Sequence, residues 1–200
     1  MTIKKQETVR RYVFLFIGLF INALGVSLIT KANLGTSPIT SIPYVLDLAV
    51  GPITLGMFTF AFNILLLLIQ IILLRKNFKL SSLLQLPVIF VFSAFIDLTM
   101  LIFSFVNPQT YIMQILSLII GCIILGFGVF TEMVANVVML PGEATVRAIC
   151  TVTNFDFGKT KVVFDTTMTV TAVILSFALL GFLFGVREGT IIAALVVGII

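Results

Sequence analysis

The chain has no histidine and only two cysteines, Cys122 and Cys150, in 200 residues. A histidine-based proton relay is therefore excluded, and a soft-metal cage would lack its usual ligands, so neither a metal site nor a cofactor is expected. The two cysteines lie in apolar surroundings 28 residues apart and read as small buried hydrophobes rather than a disulfide. Charge is scarce too: Asp, Glu, Lys and Arg make up 10% of the chain, against roughly a quarter in soluble domains. The sequence holds no GxSxG, Walker or HExxH motif and no evident pair of nucleophile and base, so catalysis is not expected. No Ser/Pro-rich linker or low-complexity tract divides it, and residues 1–200 read as a single membrane domain.

What is present is apolar side chain: 60% of residues, with a mean hydropathy of +1.26. Candidate crossings are residues 12–31, 53–74, 83–106, 111–135, 160–184 and 189–200. The expected fold is thus all-α and integral to the bilayer, with about six transmembrane helices. The last segment would rise roughly 18 Å, short of a core of roughly 30 Å, so either it ends inside the bilayer or, the favoured expectation, it continues past residue 200. The run from Tyr12 continues past Leu28 without a small-residue cleavage site and reads as a retained first helix.

Lys and Arg set the orientation, because cytoplasmic loops keep them and translocated loops shed them. With the N-terminus inside, Lys4, Lys5, Arg10 and Arg11 precede the first helix, Arg75, Lys76 and Lys79 fill one inner connection, and Arg147, Lys159 and Lys161 another. Only Lys31 and Arg187 fall outside. A bacterial plasma-membrane protein with a cytoplasmic N-terminus is expected. The net charge of +4 is then a topology signal, and no nucleic-acid partner is needed to explain it.

The two halves share polar punctuation. Gly25-Val26 followed by Ala32-Asn33 recurs as Gly128-Val129 followed by Ala135-Asn136, an offset of 103. Gly56 with Phe62-Asn63 recurs as Gly158 with Phe164-Asp165, an offset of 102. A Pro/Gly-rich break lies between the matched pairs in each half: Leu34-Gly35-Thr36-Ser37-Pro38, then Leu140-Pro141-Gly142-Glu143. Repeat 1 would cover about 12–106 and repeat 2 about 111–200. Three crossings is an odd number, so the second copy must enter from the opposite side, the inverted arrangement of many secondary transporters.

Gly25-Val26, Lys31-Ala32-Asn33-Leu34-Gly35, Pro38, Leu55-Gly56 and Ile96-Asp97 also resemble the YczE/YyaS/YitT group of prokaryotic membrane proteins. The resemblance spans most of the chain and is looser at Leu140-Pro141-Gly142-Glu143. It implies a small multi-pass protein of the bacterial plasma membrane, and implies neither a substrate nor catalytic residues.

In the first break Ser37 is a good N-cap and Pro38 suits the first helical position. Residues 39–50 rise only roughly 18 Å, as do residues 142–153, so both segments are expected to be re-entrant or interfacial. Backbone that is not helical at such depth must be buried in protein or line a wet cavity. Gly35, Thr36 and Ser37 with Gly142 are candidate ligands for an acidic or polar solute group, two helix N-termini facing one cavity. The alternative is that the cap and the proline merely start a helix. Glu143 weakens the anion reading, since it complements the helix dipole and stands four residues before Arg147, a stabilising spacing.

Acids inside lipid are costly and default to functional candidates. Asp97 and Asp165 are the candidates for proton or ion coupling, with Asn63, the repeat counterpart of Asp165, a further binding residue near mid-depth. Asp97 could instead accept Ser or Thr hydroxyls and knit helices together. Lys159 and Lys161 would snorkel to the inner interface, and Glu132 would rest at the inner boundary. Asn22, Gln70 and Asn136 read as helix-to-helix hydrogen bonders, and Gly181 and Gly185 as a GxxxG packing motif.

The function expected from this pattern is a small secondary transporter or permease for a small polar solute, proton-coupled at Asp97 or Asp165. The alternative is a membrane accessory protein that scaffolds or regulates a partner. Six helices are few for a self-contained path, so beyond the lipid bilayer a homodimer is one expected assembly.

Overall fold

The structure, a computed structural model, describes the backbone of residues 2–199 and the side chains of residues 7–194. The termini of the expected single domain, Met1 and Ile200, and the side chains of Lys4 and Lys5 lie outside the described residues. Eight α-helices follow one another: α1 Thr2–Lys31, α2 Pro38–Ala49, α3 Leu55–Leu74, α4 Gln85–Ile102, α5 Tyr111–Ala135, α6 Pro141–Thr153, α7 Phe157–Leu180 and α8 Glu188–Ile199. No strand occurs among the described residues. Among the described residues five helices rather than six are long and apolar enough to cross a membrane: α1, α3, α4, α5 and α7. The twelve residues of α8 fall short of that length.

Local chemistry places the helix ends. Thr54, Thr110 and Asp156 each accept a backbone N–H of the first turn that follows, from Met57, Met113 and Lys159, satisfying donors that have no partner inside the helix. Pro38 and Pro141 occupy the first positions of α2 and α6. Ahead of them α1 and α5 stop at Asn33 and Asn136, both left-handed with φ 57° and 48°, a conformation asparagine tolerates better than most residues. The GxxxG reading fails here. Gly181 and Gly185 lie in the connection beyond α7 with positive φ; a Cβ on Gly181 would meet nothing within 4 Å, and only Gly185 packs closely, its Cβ position lying 3.1 Å from Val45 of α2.

α1 is the central helix. In its most apolar stretch 56% of residues are buried, against 17–33% for the other four long helices, which turn side chains such as Ile72, Ile112 and Val162 outward. Its main partner is α5, antiparallel to it. At Gly25 an added Cβ would lie 2.5 Å from the backbone nitrogen of Leu125, and at Gly128 it would lie 2.5 Å from that of Asn22. Only glycine permits helix backbones to meet this closely. Around this axis α2 packs on α7 and α3, α6 on α3 and α7, α4 on α1 and α3, and α8 on α5.

Candidate functional site

A cavity of about 630 Å³ opens where the N-termini of α2 and α6 come together. A Cβ at Gly142 would stand 2.6 Å from Cδ1 of Ile39, so the first turns of the two short helices are in contact. Ser37, Asn63, Gly142 and Asp165 line the cavity. The other three residues singled out from the sequence, Gly35, Thr36 and Asp97, do not.

Gly35 and Thr36 are absent from the wall because α8 covers them. Gly189 N–H donates to the Leu34 carbonyl at 2.8 Å, Thr36 N–H donates to Oγ1 of Thr190 at 3.3 Å, and Arg187 reaches the Asn33 carbonyl at 3.3 Å. The irregular backbone of the first break is thus satisfied by protein. Ser37 stands at the N-cap position of α2 without capping it: its hydroxyl pairs with Oγ1 of Thr40 at 2.7 Å. In the second break the Pro141 carbonyl accepts from Nε2 of Gln70 at 3.3 Å and from the Thr145 hydroxyl at 2.6 Å, and Gln70 exchanges hydrogen bonds with Gln85.

Asp97 closes the first turn of α3 from outside. Gly56 N–H donates to its Oδ1 and the Thr54 hydroxyl to its Oδ2, both at 2.8 Å. Such contacts stabilise a carboxylate at a helix N-terminus, the hydroxyl-accepting alternative of the sequence reading. Asp47, half-buried in the last turn of α2, stands near it and has its carboxyl pushed above the usual range by burial first and by the charge of Asp97 second. A raised acid favours the protonated form in the folded state. Its contribution to stability is complete below the ordinary carboxylate pKa and is lost as pH rises through the raised value. Asp47→Asn should flatten this dependence and modestly stabilise the protein at neutral pH. Thermal unfolding of the variant and the parent from about pH 4 to about pH 7 checks this, and parallel curves would contradict it.

Asp165 is paired, and in a way the spacing already allowed. Lys161, one turn earlier on α7, donates to Oδ1 at 2.9 Å, so it does not reach away to an interface. Glu143 and Arg147 form no ion pair despite their spacing, and Glu143 lines the cavity without a hydrogen-bond partner among the described residues. Glu132 is 7% exposed and accepts from Nδ2 of Asn22 at 2.8 Å, across the α1–α5 crossing.

Two wall residues carry unmet hydrogen-bonding capacity. Asn63 is 4% exposed and its carboxamide has no partner among the described residues. One turn before it on α3, Oγ1 of Thr59 is buried and unpaired. Sequence reading passed over Thr59, a lone hydroxyl in an apolar run; the i, i+4 spacing to Asn63 was the signal that could have found it. Around these groups the wall is aromatic and aliphatic, with Phe62, Phe92, Phe130, Phe157, Met133 and Leu140. The arrangement can enclose a molecule with an apolar body and a few hydrogen-bonding groups, the usual character of a small-molecule site.

No curated protein and no solved structure matches the chain. Residues 9–200, which include every residue of the cavity wall, match the model of DUF6198, a family of unknown function, and the chain belongs to that family.

Proposed function

We propose that the chain is a small secondary transporter or permease of the bacterial plasma membrane, built as two inverted repeats, that carries a polar low-molecular-weight solute through the cavity between α2 and α6. The observation that carries this reading is the meeting of two half-length helices, N-terminus to N-terminus, at a cavity with unpaired polar groups. Sites of this kind form where interrupted helices from two repeats converge.

The repeat reading is supported by correspondences at one spacing. The left-handed residues Asn33 and Asn136, the opening prolines Pro38 and Pro141, and the paired crossing glycines Gly25 and Gly128 are each 103 residues apart. The packing of α2 on α7 has its counterpart in that of α6 on α3. The excess of Lys and Arg in alternate connections supports a cytoplasmic N-terminus, and the likeness to the YczE/YyaS/YitT group agrees with a small multi-pass protein.

Transport proceeds by rocking one half against the other about the α1–α5 crossing, with Asp165 exchanging its Lys161 partner for a proton or a solute group. In liposomes holding the purified protein, an inward proton gradient should drive solute accumulation, and Asp165→Asn should lower it roughly tenfold, a contact of about 1.4 kcal/mol. Asp97→Asn, which keeps an acceptor for Gly56, should transport normally. Gradient-driven flux indifferent to Asp165→Asn would remove the coupling role. Absence of flux for every solute tried, with a stable co-purifying partner, would replace transport by the accessory role.

A further inference from the structure

We infer that the solute is an organic monocation: a primary ammonium group carried on an apolar, aromatic-sized body. The inference rests on the cavity being the solute site of the transport reading.

Charge on the wall decides the sign. Lys161 and Asp165 neutralise one another, which leaves Glu143 as the unpaired charge on the wall. The half-helix N-termini pull the other way, each with roughly half a positive charge spread over its free N–H groups, and α6 carries Glu143 in its own first turn. The localised full charge on the wall that stands outside a salt bridge is the Glu143 carboxylate, with which a solute ammonium can form a charge-assisted hydrogen bond and a solute carboxylate cannot.

The hydrogen-bonding groups agree with that sign. An ammonium offers three donors and no acceptor. The Asn63 carboxamide oxygen and Oγ1 of Thr59, neither with a hydrogen-bond partner among the described residues, can both accept, one helical turn apart. Pro43, also on the wall, has no N–H, which leaves the carbonyl of Ile39 without its helical donor. These acceptors, together with the Glu143 carboxylate, can satisfy the three N–H groups. The phenyl rings of Phe62, Phe92, Phe130 and Phe157 suit an apolar body, and a ring face also attracts a cation.

Three probes with one body and different heads test this: 2-phenylethylammonium, 3-phenylpropionate and 2-phenylethanol. Binding is read by equilibrium dialysis against liposomes with and without the protein, and flux separately in the same vesicles. The ammonium should bind the wild-type protein at least roughly tenfold more tightly than either other probe. Glu143→Gln should remove that preference while leaving the alcohol unaffected, and Asn63→Leu should weaken the ammonium without abolishing preference for positive charge. Equal binding of all three, or tighter binding of the propionate, overturns the assignment of charge, and this comparison needs no variant to fold. Ammonium binding without flux would leave the cation site standing and sink transport. Flux of an anion with no ammonium binding would do the reverse.

Discussion

Gly25→Ala is expected to destabilise the protein by about 1–3 kcal/mol, a large effect for one added methyl group. The new Cβ would lie 2.5 Å from N and 2.6 Å from Cα of Leu125, and neither is the end of a flexible side chain that could rotate away. The α1 and α5 backbones must separate, loosening contacts of Leu19, Ala23, Val26 and Leu118 along the central packing seam. Gly128→Ala should cost about as much, since its Cβ would meet N of Asn22 at 2.5 Å. The double variant should cost less than the two single effects together, because the splaying forced at one contact makes room at its neighbour, and adjacent sites of this kind do not add. Gly18→Ala and Gly121→Ala should be milder, since their nearest atoms are Cγ of Glu132 and Cγ1 of Ile29, with backbone no closer than 3.0 Å. Reversible detergent-driven unfolding followed by circular dichroism measures all five variants. Wild-type stability for Gly25→Ala would mean that α1 and α5 do not cross at these glycines.

Much of the helix layout can be read from residue order alone, because the length of an apolar run reports on bilayer thickness and a proline is best placed in the first turn of a helix. The breaks at Pro38 and Pro141 follow from these two facts and bring Ser37 and Gly142 with them, while the wall residues Asn63 and Asp165 follow from matching polar positions between the halves. Gly35 and Thr36 share the break with Ser37 yet are held by α8, an approach across more than 150 residues that no local pattern encodes. The burial of Glu132 under α1 is hidden for a related reason: distance along one helix locates a residue relative to its own start, and does not reveal what covers it. Charged pairs within a helix were ambiguous. Spacing of four residues occurs in both Glu143/Arg147 and Lys161/Asp165, and only the second closes, since Arg147 is exposed while Glu143 turns to the cavity.

The contact between Asn22 and Glu132 should show an asymmetric response to mutation. Asn22 donates to a carboxyl group that is 7% exposed and has no basic partner among the described residues. Asn22→Leu removes that donor and strands a buried acid, so a loss of about 2–4 kcal/mol is expected, between the cost of an unmet hydrogen bond and that of a broken buried ion pair. Glu132→Gln keeps an oxygen for the Asn22 amide and leaves no ionisable group to bury. It should therefore be neutral or stabilising. In the double variant Asn22→Leu with Glu132→Leu neither polar group remains, and most of the loss should be recovered, because replacing both partners by apolar groups of similar shape costs little. Helices already formed in lipid when packing is lost would shrink all of these numbers without changing their order. If Glu132→Gln instead proves as damaging as Asn22→Leu, the carboxyl must be holding a positive charge that Gln cannot hold, and the unmet negative charge beside the cavity would then extend from Glu143 to Glu132.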